Sequence, residues 1–579
     1  MIQSNKIDKE VKTIGLVMED SFTDFAKDIA HSVAHTIVHR KDLKLIVVAG
    51  RQDNCTDPNN KIHRYKQVFN SIYSINSTCK FDGLIFTFPN MMGVEEDLFG
   101  DVPKVYIAAD KENEITVNYD NEMGVREALD YLVRIKGITK LCMLGGRDDN
   151  ADAVKRKNVF FSYLKEAGLE CSEDQYEPTD MSTDSHDAAA KLLARNPGVQ
   201  AVFCANDPVA VGLYDVMFSK GLIPGKDVLV FGFDNGALAG YLVPSLASIG
   251  AAGITIGQRA LELLLDMING KEVHSEVIPT HLFGRDSLEY EPYKITTRDI
   301  LKVDSSFIYS FFDDCFYRYK NEIVDPAAIN LRRLFYEILS RMMLAIKNRY
   351  MDEGQYIQIK KLVDVFFENG AMKYTDANKY VSSITRLQNS MNETFRNVYS
   401  ISYNNRLFLY MKDKAIQAQA FENAMNSQDQ TAGRDRLTEF MINTVNFSNN
   451  SKDGIDDVIR NFEMIGFREA ALYMFDKPVK YKGFDSIPHD IDLRCVLKEG
   501  SLYVIPENRR TCTVDEIFLR SELPNEDKGF MSFPLFYGDY LFGVLVCCVN
   551  KSVMTGGEYL SFLLGRTIYM NLMPPVIPE

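Results

Sequence analysis

One stretch of the sequence, residues 201–236, most constrains the fold of this chain. It reads AVFCANDPVAVGLYDVMFSKGLIPGKDVLVFGFDNG. Its two apolar runs, AVFCA and DVLVFGF, are typical of strands buried on both faces. Between them, Asn206-Asp207-Pro208 is a helix start signal, and Gly221 is placed to end that helix. The pattern predicts a strand–helix–strand unit with polar residues at the carboxyl ends of both strands, where open parallel sheets bind small molecules.

Strand and helix signals alternate in the same way through the first half of the chain. Strands are predicted at IGLVM, LKLIVVAG, GLIFTF, KVYIAA and KLCMLGG, with helices between them at about residues 22–40, 64–75, 121–134 and 151–167. Such alternation favours parallel sheets with right-handed crossovers.

The pair AVFCANDPVAVG and DVLVFGFDN resembles the effector-binding core of the lactose-repressor (LacI/GalR) family. The segments FDGLIFT, VPKVYI and VNYDNEMGVREALDYLVRIKGITKLCMLGG precede it in the family's order. The resemblance covers residues 12–284. It implies an α/β, two-lobed, periplasmic-binding-protein-like (type I) domain with parallel sheets, in which the strand EVIPTHLF completes the first lobe.

The resemblance also implies a ligand arginine. Ala153, Arg156 and Phe160 match the family pattern AxxRxxxF, whose arginine contacts the ligand. At the position of a second arginine that is common in that motif, this chain has Val154, a departure that does not fit simple sugar recognition.

The candidate ligand contacts combine groups that suit a sugar or a similar polyol. Asn and Asp exchange hydrogen bonds with hydroxyls, an Arg fork holds two oxygens, and a Phe ring can stack on an apolar face. Helix capping by Asp207 and turn formation by Asp234 remain open as alternatives. The predicted ligand-binding residues are Ser21, Phe22, Asp24, Arg156, Asn206, Asp207 and Asp234.

The second half of the chain changes character. Residues 285–430 carry helical apolar stripes and few strand signals, which favour a helix bundle for coupling or dimerisation. Residues 431–573 contain helix and strand signals, a hairpin signal at Gly538-Asp539 and a closing helix. This order resembles a GAF domain. The segment SVMTGGEYL after Asn550-Lys551 lacks the pattern of cyclic-nucleotide-binding members, so a structural, dimer-forming role is expected.

Composition excludes several function classes. The chain has 579 residues and a net charge of −15, with no basic stripe, so no direct nucleic-acid surface is expected. No apolar run is long enough to span a membrane, and the first residues lack a signal-peptide core. The 10 cysteines form no CxxC pair. We expect a cytoplasmic protein with no metal and no cofactor, and no catalytic arrangement stands out, so we do not expect an enzyme.

These observations predict a sensor that binds a small polar ligand between two lobes. The helical region and the GAF-like domain would transmit closure within a homodimer to a partner or to an output domain. One alternative is a LacI/GalR-type transcriptional regulator that acts through a DNA-binding partner, because too few residues precede the first strand for the family's helix-turn-helix. Another is the sensory part of a diguanylate cyclase, since such domains often follow GAF domains in proteins that resemble this arrangement.

Overall fold

The computed structural model describes residues 11–21, 23–38, 40–51, 61–87, 96–251, 255–289, 295–316, 319, 330–375, 377–394, 399–445, 454–523 and 529–572. The strands are β1 (Lys12–Met18), β2 (Leu43–Ala49), β3 (Gly83–Thr87), β4 (Lys104–Ile107), β5 (Ile115–Tyr119), β6 (Leu141–Leu144), β7 (Tyr176–Glu177), β8 (Ala201–Cys204), β9 (Leu229–Phe233), β10 (Ala247–Ala251), β11 (Glu276–Ile278), β12 (Thr280–Phe283), β13 (Ala470–Lys480), β14 (Asp490–Lys498), β15 (Ser501–Val504), β16 (Thr511–Thr513), β17 (Gly529–Tyr537) and β18 (Tyr540–Cys548).

The helices alternate with these strands and then dominate the middle of the chain. They are α1 (Asp24–Val38), α2 (Lys61–Phe69), α3 (Ser71–Asn76), α4 (Met123–Asp130), α5 (Ala151–Glu166), α6 (His186–Arg195), α7 (Asp207–Ser219), α8 (Ala237–Tyr241), α9 (Ile256–Ile268), α10 (Thr297–Lys302), α11 (Ser305–Cys315), α12 (Leu331–Lys347), α13 (Glu353–Glu368), α14 (Ala377–Thr394), α15 (Tyr399–Val445), α16 (Gly454–Arg460) and α17 (Lys551–Leu572). None of the described helices is long and apolar enough to cross a membrane.

The chain divides into two compact units. Unit 1 combines residues 1–119, 254–278 and 430–579, and unit 2 combines residues 120–253 and 279–429. The boundary predicted between residues 430 and 431 falls inside one continuous helix, α15, rather than in a linker.

The first part of unit 1 is a parallel sheet in the order β11-β5-β4-β3-β1-β2. Strands β1, β2 and β3 are largely apolar and buried, as expected for a sheet covered by helices on both faces. Helices α1 and α9 pack together beside it. We call these strands, with α1–α3 and α9, the first lobe.

The C-terminal strands extend the sheet of the first lobe. β17 pairs with β2 in parallel, Gly529 opposite Leu45 and Met531 opposite Val47, and the order continues β17-β18-β13-β14-β15 with β16 on β14. The hairpin predicted at Gly538-Asp539 is confirmed: Tyr537 pairs with Tyr540, and Gly538 has φ +58°. Sequence analysis missed the β2–β17 pairing and treated the C-terminal strands as a separate module.

Unit 2 contains the second sheet, in the order β12-β10-β9-β8-β6-β7. Its strands are parallel except that β12 runs antiparallel to β10. Strands β6, β8 and β9 are completely buried, and Phe203 of β8 stacks on Phe231 of β9 with ring centroids 4.6 Å apart. We call this sheet, with α4–α8, the second lobe.

One predicted strand is corrected. EVIPTHLF does not finish the first lobe as one strand, because it is divided at Pro279. Glu276–Ile278 pairs with β5, whereas Thr280–Phe283 pairs with β10 of the second sheet. Proline has no amide hydrogen to donate to a ladder, so it is a suitable residue at the point where the chain leaves one sheet for the other.

After β12, the described residues of unit 2 form mostly helices. Residues from Ile295 to Ala415 supply one apolar core with many aromatic side chains. Phe316 lies at its centre, with ring centroids 5.5 Å from Phe335, 5.4 Å from Phe366 and 5.7 Å from Tyr380. The aromatic stripe is therefore structural core. Its proposed coupling role stays a prediction.

Candidate functional site

The candidate site lies at the carboxyl ends of the strands of the second sheet. The predicted strand–helix–strand unit is present there as β8, α7 and β9. Asn206 is the N-cap of α7, and its Oδ1 accepts a hydrogen bond from the amide of Val209 at 3.2 Å. Its Nδ2 donates to the carbonyl of Met181 at 3.0 Å. The side-chain oxygen and nitrogen of Asn206 are therefore both hydrogen-bonded to the protein's own backbone.

Asp207 is buried, and both of its carboxyl oxygens are hydrogen-bonded within the protein. Its side chain is 1 % exposed, its Oδ1 accepts from the Ser248 hydroxyl at 2.5 Å, and its Oδ2 accepts from the Gly236 amide at 3.0 Å. These bonds connect α7 to the segment after β9. The geometry favours a positioning role for Asp207, and a direct ligand contact stays an untested prediction.

Burial also changes the acidity of Asp207. It raises the pKa of this carboxyl from its ordinary value of 3.8 to about 8, and the negative charge of Asp234 adds to the rise. The hydrogen bonds from Ser248 and Gly236 and the positive charge of Arg285 act in the opposite direction. Desolvation dominates because an ionised carboxylate loses more than it regains in this interior.

The segment after β9 has an unusual backbone. Asp234 has φ +100° and Asn235 has φ +51°, a region that residues other than glycine rarely adopt. The surrounding contacts hold it: the Asn235 amide donates to Ser248 Oγ at 2.9 Å, and Arg285 Nη2 donates to Asn235 Oδ1 at 2.6 Å. Strained backbone of this kind is often found at ligand sites.

Arg156 is the most constrained charged group of the site. Its side chain is 4 % exposed, and its guanidinium carbon lies 3.5 Å from the centre of the Phe233 ring. Nε donates to Asn121 Oδ1 at 2.8 Å, and Nη1 donates to the carbonyl of Ala205 at 2.7 Å. Stacking and two directional hydrogen bonds fix both the plane and the rotation of the guanidinium.

Asn121 is itself oriented. Its Nδ2 donates to Asp152 Oδ1 at 2.7 Å, which leaves Oδ1 facing Arg156. Asp152 and Arg156 lie one turn apart on α5, where Asn150 caps the helix by accepting from the Ala153 amide. The chain Asp152–Asn121–Arg156 therefore sets the direction of the guanidinium.

One end of this guanidinium has no hydrogen bond within the described residues. Nη2 of Arg156 donates to none of them, and Asp234 Oδ1 lies 3.8 Å from Nη1. The Asp234 side chain is about one quarter exposed. A guanidinium and a carboxylate side by side can donate to one ligand oxygen and accept from a neighbouring hydroxyl.

The other predicted contacts belong to unit 1. Ser21 follows β1 and is 8 % exposed, and Asp24 is the first residue of α1. Phe22 lies outside the described residues. Their assignment as ligand contacts stays a prediction, as it does for the whole predicted set.

Sequence reasoning missed Asn121, Phe233, Ser248 and Arg285. Two of them had a usable signal: Phe233 is the last residue of a predicted strand, and Asn121 begins a predicted helix. Ser248 and Arg285 had no such signal, because a serine within a strand and an arginine after a strand are common and indicate no particular function. In the part of the chain that the structure describes, no group of three His, Cys, Asp or Glu side chains is placed to hold a metal ion.

Comparison with known proteins assigns a class to this region. Residues 129–288 match the family model described as a periplasmic binding protein-like domain. The matched segment contains the strands of the second lobe, its helices α5–α8 and most of the candidate site. The chain thus contains a periplasmic-binding-protein-like domain with parallel sheets, as the sequence predicts.

Its relatives are transcriptional regulators. The chain is 30% identical over 188 residues to the HTH-type transcriptional repressor PurR of Vibrio atlanticus (strain LGP32), covering 32% of this chain and 56% of that protein. It is 31% identical over 193 residues to the HTH-type transcriptional regulator CelR of Thermobifida fusca, covering 32% and 56%. The chain thus spans little more than half the length of these relatives.

Solved structures of the same kind align with about half of the chain. The transcriptional regulator CelR–cellobiose complex is 24% identical with a TM-score of 0.40, covering 48% of this chain and 86% of that one. The lac repressor dimer bound to operator and the anti-inducer ONPF is 19% identical with a TM-score of 0.40, covering 48% and 94%.

Proposed function

We propose that this chain is a ligand-sensing regulator whose periplasmic-binding-protein-like domain binds a small polar molecule without transforming it. The observation that carries the proposal is the Arg156 guanidinium, which is fixed by Phe233, Asn121 and Ala205 and keeps Nη2 without a partner among the described residues. A buried charged donor held in one orientation is preorganised for a ligand oxygen.

The neighbouring carboxylate narrows the ligand class. Asp234 accepts hydrogen bonds when ionised, and Arg156 only donates them, so a ligand with adjacent hydroxyl or carbonyl oxygens satisfies both. A free phosphate would face repulsion from Asp234. A sugar, a nucleoside or a related polyol therefore fits this pair better than a strongly anionic ligand.

Signalling would follow from a population shift. A ligand that binds one conformation better than another stabilises that conformation by its difference in affinity. We propose that the change reaches the C-terminal half of a cytoplasmic homodimer and, from there, a partner protein or an output domain. Light scattering of the purified chain measures whether it is a dimer.

A thermal-shift screen against sugars, nucleosides and amino acids tests the ligand proposal, followed by calorimetric titration of each hit. We expect Arg156→Lys to weaken binding by tenfold or more, because a lysine loses the planar fork that stacks on Phe233. Lys165→Gln, an exposed change on the same helix, is the matched control. Unchanged affinity in both Arg156→Lys and Asp234→Asn would show that the site lies elsewhere.

The second candidate is a transcriptional regulator of the LacI/GalR type. The sequence similarity of this chain to PurR over 188 residues and to CelR over 193 residues favours it. Fluorescence anisotropy with a labelled DNA duplex at low salt separates the candidates. A sensor that works through a partner protein leaves the anisotropy unchanged, whereas sequence-dependent binding by this chain alone would support the regulator.

A further inference from the structure

We infer that the C-terminal residues 454–523 and 529–572 act with the first lobe as one body, and that Glu558 of α17 connects them to the end of β1. The inference deepens the proposed function: a ligand that moves the first lobe would carry the C-terminal strands with it. The physical coupling itself is testable without any ligand.

The two parts share a continuous hydrogen-bonded ladder and a buried polar contact. β17 occupies the edge of the first-lobe sheet beside β2. Beneath this junction, Asn76 Nδ2 donates to Ser532 Oγ at 2.9 Å, and Ser532 Oγ donates back to Asn76 Oδ1 at 3.1 Å as an alternative. Both residues are fully buried, so separating the parts would leave paired polar groups unsatisfied.

Aromatic packing reinforces the junction. The Tyr65 ring of α2 lies 5.3 Å from that of Phe536 on β17 and 5.7 Å from that of Phe562 on α17. At the edge of this cluster, Arg64 Nη2 contacts the Asp539 carboxylate of the hairpin turn at 2.5 Å. Side chains packed at these distances form one hydrophobic core that α2, β17 and α17 share.

Glu558 is the charged link. Its Oε1 accepts from the Tyr65 hydroxyl at 3.0 Å and lies 3.0 Å from Arg51 Nε. The backbone of Arg51 is held on both sides by one side chain: its amide donates to Asn70 Oδ1 at 2.8 Å, and its carbonyl accepts from Asn70 Nδ2 at 3.0 Å. The position of Glu558 is thereby tied to Arg51, the second residue after the end of β2.

From Arg51 the contacts continue to the last residue of β1. The preceding Gly50 donates its amide to the carbonyl of Met18, the last residue of β1, at 3.2 Å. The Tyr73 hydroxyl donates to the same carbonyl at 2.6 Å. A side chain at Gly50 would meet the Tyr73 hydroxyl at 2.2 Å, so this approach needs glycine. The loop that starts after Met18 contains Ser21.

Hydrogen exchange of the full chain, followed by mass spectrometry, tests the coupling. Glu558→Gln keeps an acceptor for Tyr65 and removes the charge that faces Arg51. We expect exchange to rise threefold or more in peptides from α17 and also in peptides covering residues 11–21. Arg566→Gln, an exposed charge removal on the same helix, should leave residues 11–21 unchanged. Peptides of β8 and α7 report on unit 2 as an internal reference.

Ser532→Ala provides the second measurement, at the sheet junction. It should raise exchange in peptides of both β2 and β17, because the side-chain amide of Asn76 keeps the Ile72 carbonyl but loses its buried partner on β17. Faster exchange confined to α17 in Glu558→Gln, or to β17 in Ser532→Ala, would overturn the inference. Either result would leave the ligand site at Arg156 standing, because no ligand is used.

Discussion

At the scale of single residues, the orientation of Arg156 is the property on which ligand recognition depends. Asn121 and Phe233 determine it, and neither has to touch a ligand to matter. Supporting residues of this kind act by removing the other orientations that the guanidinium could adopt, which lowers the entropy cost of binding.

The first prediction concerns Asn121. Asn121→Ala removes the hydrogen bond to Nε, and a hydrogen bond to a charged group is worth about 1.5–3 kcal/mol. We expect the affinity for a ligand found in the screen to fall by about tenfold or more, at roughly 1.4 kcal/mol per factor of ten. Titration calorimetry measures it. The adjacent exposed change Glu122→Gln should keep wild-type affinity, and equal effects of the two variants would contradict the prediction.

The second prediction concerns pH. The pKa of Asp207 is raised on folding, so its contribution to stability is complete below about pH 4 and is lost as the pH rises towards 8. We expect the melting temperature to fall between pH 5 and pH 8.5, and Asp207→Asn to reduce this fall, because an asparagine stays neutral. Scanning calorimetry at both pH values measures the slope.

Asp187→Asn is the control for that measurement, because Asp187 is an exposed aspartate on α6. It should keep the wild-type pH slope. A slope that is as steep in Asp207→Asn as in the wild type would show that the buried carboxyl is already ionised in the folded protein.

At the scale of elements, the packing of β9 and of the segment after it around Asp207 depends on which positions are glycine. A Cβ at Gly232 would lie 2.3 Å from Asp207 Oδ1, whereas a Cβ at Gly236 would have nothing nearer than Asp207 Oδ2 at 3.9 Å. At both glycines the nearest atom to an added Cβ is an oxygen of the same Asp207 carboxyl, so the two positions can be compared directly.

The third prediction uses that pair. Gly232→Ala should destabilise the second lobe by about 1–3 kcal/mol, the usual cost of overpacking a tight interior. Gly236→Ala should be neutral or slightly stabilising, because its φ of −71° suits any residue. Urea unfolding followed by circular dichroism compares them. Equal destabilisation would mean that the Asp207 side chain moves aside freely.

At the scale of the whole molecule, the shared sheet makes the C-terminal strands part of the first lobe. A Cβ at Gly565 of α17 would lie 2.0 Å from the carbonyl oxygen of Phe536 on β17, whereas a Cβ at Gly556 of the same helix has its nearest neighbour at 3.7 Å. The closeness of α17 to β17 therefore depends on Gly565.

The fourth prediction follows from this difference. Gly565→Ala should loosen α17 and raise hydrogen exchange in β17 and in β2 together, while peptides of β8 and β9 stay protected. Gly556→Ala should protect α17 slightly, because alanine favours helix over glycine by about 1 kcal/mol. Exchange that rises in β17 with β2 unchanged would show that the junction is weaker than its contacts indicate.

The sequence by itself determined the local elements of this protein. Cap residues, prolines, glycines and apolar runs act on their near neighbours, so α7 with its Asn206 cap and the hairpin at Gly538 could be predicted. The resemblance to the LacI/GalR family implied the periplasmic-binding-protein-like class, and this class is confirmed for residues 129–288.

Only the tertiary structure decided which distant segments meet. β2 and β17 are both largely apolar and buried strands, so the sequence of neither one indicates which strand it pairs with or in which register. The same holds for Asn121 beside Arg156, and for the raised pKa of Asp207, which comes from burial by groups far away in the chain. Desolvation and pairing depend on three-dimensional neighbours, and short-range sequence signals carry no record of them.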